Sequence, residues 1–398
     1  LPIYAMTTVE VVATSGQVGP GETRQEAVAV PSRYQAGELN IQVEASLAAS
    51  MIPGLEYLKH YPYECAEQTV SRFLPNIATA RALRDLGIED VTLVQSLAEQ
   101  VAVALQRLYG TQHEDGGWGW WYSDRSNPYL TAYAVLGLAQ ARDAGYSVDK
   151  GVLNRAVTFL LDALRLRTAR SNQDKDLSAN VRAYIAYVLA EAGEGDLGAS
   201  VSLFERRSAL SNRGKAYLLM ALAKLSPDEQ SRLDTLRSDL EGAAIVAATS
   251  AHWEDEADWR TMGTDAVTTA AVIQALSRTR PDSYVLPSAV RWLMARREDG
   301  HWRSTYETAS TILALTDYIV ASGELDANYA WQVGINDKTV GSGVYNAENL
   351  TEKQLLTVAI AKLLSNNSVS FTRQPVEKGG PDTGTMYYTM SLRYFPPA

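Results

Sequence analysis

The sequence predicts a mainly α chain with β segments at both ends, its helical part inserted into one β-domain. Three observations predict this. Apolar and polar residues alternate near each terminus. Between those ends, apolar residues fall three and four apart. Within the helical stretch an Asp-Gly-x-Trp segment recurs.

Residues 1–45 read as β. Thr8-Val9-Glu10-Val11 and Leu39-Asn40-Ile41-Gln42-Val43-Glu44 alternate in polarity, as a half-buried strand requires. Gly16, Gly19-Pro20-Gly21, Pro31 and Gly37 punctuate the segment.

The helical domain is placed at residues 46–323, with the helical period starting at about residue 66. There Val70, Phe73, Leu74, Ile77, Ala80 and Leu83 share one helix face. The same spacing recurs in Leu93–Leu108, Leu130–Ala144, Val152–Leu166, Leu177–Ala190, Gly214–Leu225, Leu233–Val246, Asp265–Leu276, Tyr284–Ala295 and Thr305–Ile319. Gly87, Gly110, Gly145 and Gly193 read as helix stops, where a left-handed residue closes the last turn. Short connections make successive helices antiparallel neighbours. Asp115-Gly116-Gly117-Trp118 returns as Asp299-Gly300-His301-Trp302, with a thinner echo at Ala251-His252-Trp253. Repeated hairpins that bury their stripes on one another form an α/α toroid if the ring closes, and an open solenoid or irregular bundle if it does not.

Residues 324–398 return to β. Trp331, Val333 and Ile335 alternate, as do Met386, Tyr388, Met390, Leu392 and Tyr394. Leu355–Leu364 fits helix or strand equally. A β-domain built from both termini accepts an inserted domain when its two cut points lie close together.

Composition excludes several classes. The formal net charge is −10 and the pI about 5.1, which argues against a nucleic-acid partner. No apolar run approaches the roughly 20 residues of a membrane helix, so no direct membrane contact is expected. One cysteine and four scattered histidines offer no metal set, and no cofactor motif is present. The chain opens at Leu1 and reads as a piece of something longer, so it carries no information on targeting.

The lone cysteine lies in Tyr61-Pro62-Tyr63-Glu64-Cys65-Ala66-Glu67-Gln68. A lone cysteine is ordinarily a small, inert core residue. This one has polar neighbours, and Glu-Gln follows a cysteine at those positions by chance only about once in 400. Residues i and i+3 meet where a turn enters a helix. Attack of the Cys65 thiolate on the Gln68 amide, with loss of ammonia, creates a thioester. That product is a stored electrophile with Cys65 as leaving group. Tyr61 and Tyr63 either cover this bond or pack at the domain junction. Glu67 either polarises the amide or faces solvent or a helix N-terminus.

These residues resemble the thioester-containing protein family, the alpha-2-macroglobulins and complement components three and four. Those proteins carry Cys-Gly-Glu-Gln, often preceded by Pro-Tyr-Gly. Here Ala66 and Glu64 stand at two of the glycine positions, and Glu64 is strained if its position needs φ > 0. Further matches are Pro75-Asn76-Ile77, the loop Asp115-Gly116-Gly117-Trp118-Gly119-Trp120-Trp121, Leu130-Thr131-Ala132-Tyr133, and Trp302-Arg303-Ser304-Thr305. The chain is most similar to bacterial alpha-2-macroglobulins. The resemblance implies an α/α-toroid thioester domain inserted in a CUB-like β-sandwich, with 1–45 and 324–398 its two parts.

The resemblance also implies a protease trap outside the cytoplasm. Cleavage of a bait region elsewhere unveils the thioester, and a lysine amine of the protease is acylated at Gln68. The reaction is single-use, not enzymatic turnover, and needs no cofactor. The implied partners are target proteases and other domains of the same chain. Some complement members redirect the reaction to hydroxyls with a histidine in a loop that aligns here with Thr168–Asp174, which holds none. His60, His113, His252 and His301 read as loop or packing residues, so direct attack by amines is expected.

Two other classes remain. Toroids also serve terpenoid cyclases, protein prenyltransferases and glycosidases. Neither Glu254-Asp255-Glu256-Ala257-Asp258 nor Asp174-Lys175-Asp176 spells the cyclase acid motif, and the sole cysteine is committed to Glu67-Gln68. Asp115, Glu254 and Asp258 are the acids a glycosidase would need. A non-reactive interaction module is the third reading.

Overall fold

A computed structural model describes residues 9–85, 91–165, 177–323, 327–346, 348–350 and 352–396. Three strands come first, β1 (Glu10–Val18), β2 (Thr23–Ala29) and β3 (Ala36–Glu44). Twelve α-helices follow among the described residues: α1 (Leu47–Lys59), α2 (Ala66–Asp85), α3 (Val91–Thr111), α4 (Pro128–Asp143), α5 (Lys150–Arg165), α6 (Ala179–Ala192), α7 (Leu197–Phe204), α8 (Asn212–Leu225), α9 (Gln230–Gly242), α10 (Asp265–Thr279), α11 (Leu286–Ala295) and α12 (Thr305–Ser322). A small hairpin, β4 (Ile245–Val246) and β5 (Ala251–His252), separates α9 from α10. Five strands end the chain: β6 (Tyr329–Ile335), β7 (Lys338–Tyr345), β8 (Lys353–Ala359), β9 (Asn366–Gln374) and β10 (Met386–Phe395).

These elements form two compact units. One comprises Leu1–Ile52 with Ser322–Ala398, the other Pro53–Ala321. The first is a β-sandwich of two antiparallel four-stranded sheets, ordered β1-β10-β3-β8 and β2-β9-β6-β7. Each sheet mixes strands from both ends of the sequence. Alternation sets the register: Leu39, Ile41 and Val43 of β3 are fully buried while Glu38, Asn40 and Gln42 are only half-buried. The sheets meet through Phe371 stacked on Tyr388 at 3.7 Å and the Tyr345 hydroxyl donating to the Val43 carbonyl at 2.8 Å.

The second unit is a ring of α-hairpins. The inner helices are α2, α4, α6, α8, α10 and α12. Hydrogen bonds close the ring from α12 back to α2, pairing Thr305 with Glu67 and Thr316 with Thr79. Contacts fix the inner helices as parallel. Their first turns meet at Glu67–Thr305 and Tyr129–Tyr306, and their last turns at Gln140–Glu191 and Arg278–Asp317. Six helix N-termini therefore face one end of the ring.

The recurring tryptophan explains how an outer helix turns into an inner one. Trp118, Trp253 and Trp302 are fully buried. Each indole N–H donates to a carbonyl near the end of the preceding outer helix: Leu108 at 2.9 Å, Leu240 at 2.7 Å, Leu293 at 2.9 Å. Each Trp backbone N–H donates to a threonine of the following inner helix: Thr131 at 2.9 Å, Thr269 at 3.1 Å, Thr308 at 3.1 Å. A buried indole needs such a partner. Glycine is required beside two of them. Gly116 and Gly300 have φ of 89° and 87°, and an added Cβ would lie 2.5 Å from Arg155 O and from Pro53 Cβ respectively.

Several expectations need correction. The apolar run Leu233–Val246 does not stay helical, because α9 ends at Gly242 and Ile245–Val246 pairs with Ala251–His252. Gly110 lies inside α3 and is not its stop. Gly145 and Gly193 do close helices with φ of 91° and 86°, and Gly87 lies outside the described residues. Helix α1 forms through Pro53-Gly54, a pair that reads as a break. Gly54 earns its place by close approach to Ile312 and Thr308 of α12. The short helix α7 has too few periodic residues to be seen. The ambiguous 355–364 segment is strand β8 followed by a 3-10 turn at Ile360–Lys362.

Candidate functional site

Cys65 immediately precedes α2, at the N-terminal end of the ring. It is the helix N-cap: its carbonyl accepts the first intrahelical bond, from Thr69 N–H at 2.9 Å. The backbone N–H groups of Gln68 and Glu67 favour charge on its sulfur. Gln68, three residues on, folds back so that its side-chain carbonyl accepts from Cys65 N–H at 3.1 Å. This is the reciprocal pattern of a capping box, with Cys in place of Ser or Thr and Gln at the third helical position. The ordinary physics of starting a helix thus brings together the two side chains that would have to bond. It also aims a backbone N–H at the Gln68 carbonyl oxygen.

Cys65 is only 5% exposed, and burial pushes its thiol pKa up. The two N–H groups at its sulfur and the nearby Arg107 oppose that shift, while the Glu67 charge adds to it. The Trp120 carbonyl accepts from Ala66 N–H at 3.1 Å, fixing the aromatic loop against the motif.

The two acids flanking Cys65 differ. Glu64 is bound by the guanidinium groups of Arg72, at 3.1 Å, and Arg107. Arg107 also donates to the Glu64 carbonyl at 3.0 Å, and Arg72 to the Tyr61 carbonyl at 2.7 Å. These bonds tie the loop to α2 and α3. The non-glycine residues with positive φ among the described residues are Met262, Asp299, Asn336 and Asp337, so the strain considered for Glu64 does not arise.

Glu67 is 4% exposed, which removes the solvent-facing alternative. Its carboxylate accepts from Ser71 at 2.5 Å and from Thr305 at 3.0 and 2.9 Å. Tyr133 reaches Ser71 at 2.9 Å. Burial holds the Glu67 pKa above the usual carboxylate range, and the Ser71 and Thr305 hydrogen bonds partly offset this.

Tyr61 is half-buried, with its ring edge on Tyr57 at 5.5 Å and on Tyr63 at 5.9 Å. Tyr63 is 62% exposed. Tyr57 in turn stacks on His301 at 3.8 Å. The remaining histidines have local partners: His60 with Glu56, His113 with Ser126, and His252 stacked on Trp292. Thr168–Asp174 lies outside the described residues.

The acids weighed for glycosidase chemistry are engaged in loop structure. Asp115 accepts from Gly117 N–H and Ser126, Asp258 from Arg260 N–H, and Glu254 pairs with His252. Sequence reasoning missed Ser71, Thr305, Tyr133, Arg72, Arg107 and Tyr57 as site residues. Ser71 was within reach, four residues after Glu67 on one helix face. Thr305 arrives from 238 residues away and had no local signal.

Comparison with known proteins follows the same lines. Residues 41–168 match the family described as the A-macroglobulin TED domain. An alpha-2-macroglobulin of Thermotoga maritima is 35% identical over 34% of this chain and 8% of its own length. That of Escherichia coli is 27% identical over 86% of this chain and 20% of its own. By these matches the chain is similar to alpha-2-macroglobulins. It spans a fifth or less of the length of these two relatives.

Solved structures agree on the fold. Native E. coli alpha-2-macroglobulin, from domain MG7 to the C-terminus, has a TM-score of 0.64 at 22% identity, covering 98% of this chain and 58% of that one. Salmonella alpha-2-macroglobulin reacted with methylamine scores 0.63 at 22% identity, covering 98% and 24%. E. coli alpha-2-macroglobulin activated by porcine elastase scores 0.56 at 21% identity, covering 98% and 33%.

Proposed function

We propose that this chain carries the reactive centre of a covalent protease trap, a thioester between Cys65 and Gln68. The observation that carries the reading is the capping box that folds the Gln68 carbonyl onto Cys65 N–H beside the buried sulfur.

The chemistry follows from that geometry. The Cys65 thiol adds to the Gln68 side-chain carbon, and the developing oxyanion is held by Cys65 N–H. The thiol proton passes to the amide nitrogen, which leaves as ammonia. In capture, a lysine amine of the protease adds to the same carbon, and the C–S bond breaks. The leaving sulfur sits at the positive end of α2, which favours its negative charge. The amine proton ends on sulfur, leaving an amide and a free thiol.

Burial has a use in this scheme. A thiol with a raised pKa is a poorer leaving group, so the bond is protected while covered. Opening the site to water lowers that pKa and activates the ester. Tyr61 and Tyr63 serve as the local cover, completed by other domains of the full-length protein. The event is single-use acyl transfer and not turnover. The relatives named for reaction with methylamine and activation by elastase support this reading. The working location is outside the cytoplasm. No helix among the described residues is long and apolar enough to cross a membrane.

The test is incubation with a biotinylated primary amine, followed by peptide mapping. The expected label sits on Gln68 and vanishes in Cys65→Ala. Label on sites other than Gln68, or equal label in Cys65→Ala, contradicts the proposal. Competition with glycerol checks acceptor choice: amide is expected to dominate over ester.

A further inference from the structure

Glu67 is a buried acid with hydroxyl partners and, among the described residues, no ion-pair partner. A charge in that position is costly to bury, and such groups concentrate where protons move. The titratable groups facing it are Cys65, Tyr57 on α1 and Tyr133 on α4. It lies between Cys65 and Gln68 in the sequence, in the first turn of the helix that Cys65 caps.

The donors around it can be counted. Ser71 donates to Glu67, so the Tyr133 hydroxyl must donate to Ser71. The single Thr305 proton is shared between both carboxylate oxygens. With Glu67 ionised, Tyr133 and Ser71 point toward it in series and Thr305 points toward it directly, reaching both oxygens. With Glu67 protonated, Ser71 or Thr305 can turn its own proton away and accept, since each hydroxyl oxygen has two lone pairs. The cradle therefore serves both protonation states.

We propose that Thr305 is the positioning residue of the acyl transfer, holding Glu67 with Ser71 and Tyr133 as the group that carries the proton between nitrogen and the Cys65 sulfur. This rests on the thioester reading above. In capture, the attacking amine gives one N–H proton to the Glu67 carboxylate, and the C–S bond breaks. The thiolate then takes that proton from Glu67. Amine plus thioester becomes amide plus thiol, with Glu67 unchanged. Thioester formation is the reverse path with ammonia as the amine, so one residue serves both steps.

The test measures methylamine consumption by the protein, as a rate per free amine, across the acid-to-neutral range. Intact mass first establishes that the thioester is present. The expected wild-type rate falls as pH drops and Glu67 protonates. Glu67→Gln reacts about a hundredfold more slowly and loses that acid limb. Thr305→Val removes a bond that favours the ionised acid. Its limb therefore moves to higher pH, with the rate at the acid end down about tenfold. Thr305→Ser restores the wild-type profile, which a purely structural role for the methyl-bearing side chain would not predict. Ser71→Ala shifts the limb in the same direction and covers the case in which Thr305→Val fails to fold.

Wild-type profiles in Thr305→Val and Ser71→Ala, or an unchanged rate in Glu67→Gln, overturn the proposal while leaving the thioester reading intact. A wild-type protein without a thioester overturns both.

Discussion

The two ends of the helical ring treat buried and partly buried acids in opposite ways. At the C-terminal end, Glu191 and Asp317 are bound by Arg278 at 3.1 and 2.8 Å, and Gln140 adds a bond to Glu191 at 3.2 Å. Three inner helices are joined there by countercharges, around a polar cavity of about 440 Å³. At the N-terminal end, Glu67 meets Thr305 and Ser71, and Tyr133 stands behind Ser71. A guanidinium can only donate, so it holds its acids as acceptors. Hydroxyls can donate or accept, so they leave the proton free to move. The difference separates a structural end from a chemical one.

Arg278→Met attacks the structural end. It leaves two partly buried carboxylates without their cation and is expected to cost about 3 kcal/mol in denaturant unfolding. Amine reactivity per folded molecule should not change. A loss of reactivity with full stability would break the comparison.

The capping box gives a sharper pair. Cys65→Ala removes the cap and should cost about 1 kcal/mol. Cys65→Ser makes an ordinary Ser-x-x-Gln box and should stay within about 0.5 kcal/mol of the parent. Neither incorporates amine. Equal destabilisation of both would mean that the sulfur does not cap α2.

Glu67→Gln should stabilise the fold at neutral pH, since it removes a charge that burial disfavours. The sign follows from linkage. With its pKa raised in the folded state, Glu67 lowers stability as pH rises above the usual glutamate range. The gap between variant and parent in thermal melts therefore closes as pH falls. A variant less stable at every pH would mark Glu67 as a structural anchor like Glu191.

Glu64→Ala is the smallest effect. Its partners are partly exposed, so about 0.5–1 kcal/mol is expected, shrinking with added salt. A salt-independent loss would show that the loop depends on the Arg107 bond to its backbone.

Much of this arrangement is legible locally. Period-two alternation marks β3, β6 and β10, and three-and-four spacing marks the inner helices, because both report one buried face. Cys65 and Gln68 are three residues apart at a helix start, so their meeting is a local event too. What cannot be read is what arrives from afar. Thr305 and Arg107 complete the site from 238 and 43 residues away. The recurring Trp segment marks the hairpin loops, but its threonine partners become visible only in three dimensions. Helix α1 hides behind Pro53-Gly54, because packing on α12 overrides the local signal.

The central claim is that Cys65 and Gln68 form a thioester, and the most direct test is the intact mass of freshly purified protein, with thiol titration before and after methylamine. The account predicts a mass short by one ammonia, no titratable thiol, and a thiol that appears as methylamine is taken up. A titratable thiol from the start, with the Gln68 amide intact and no methylamine uptake, would contradict it.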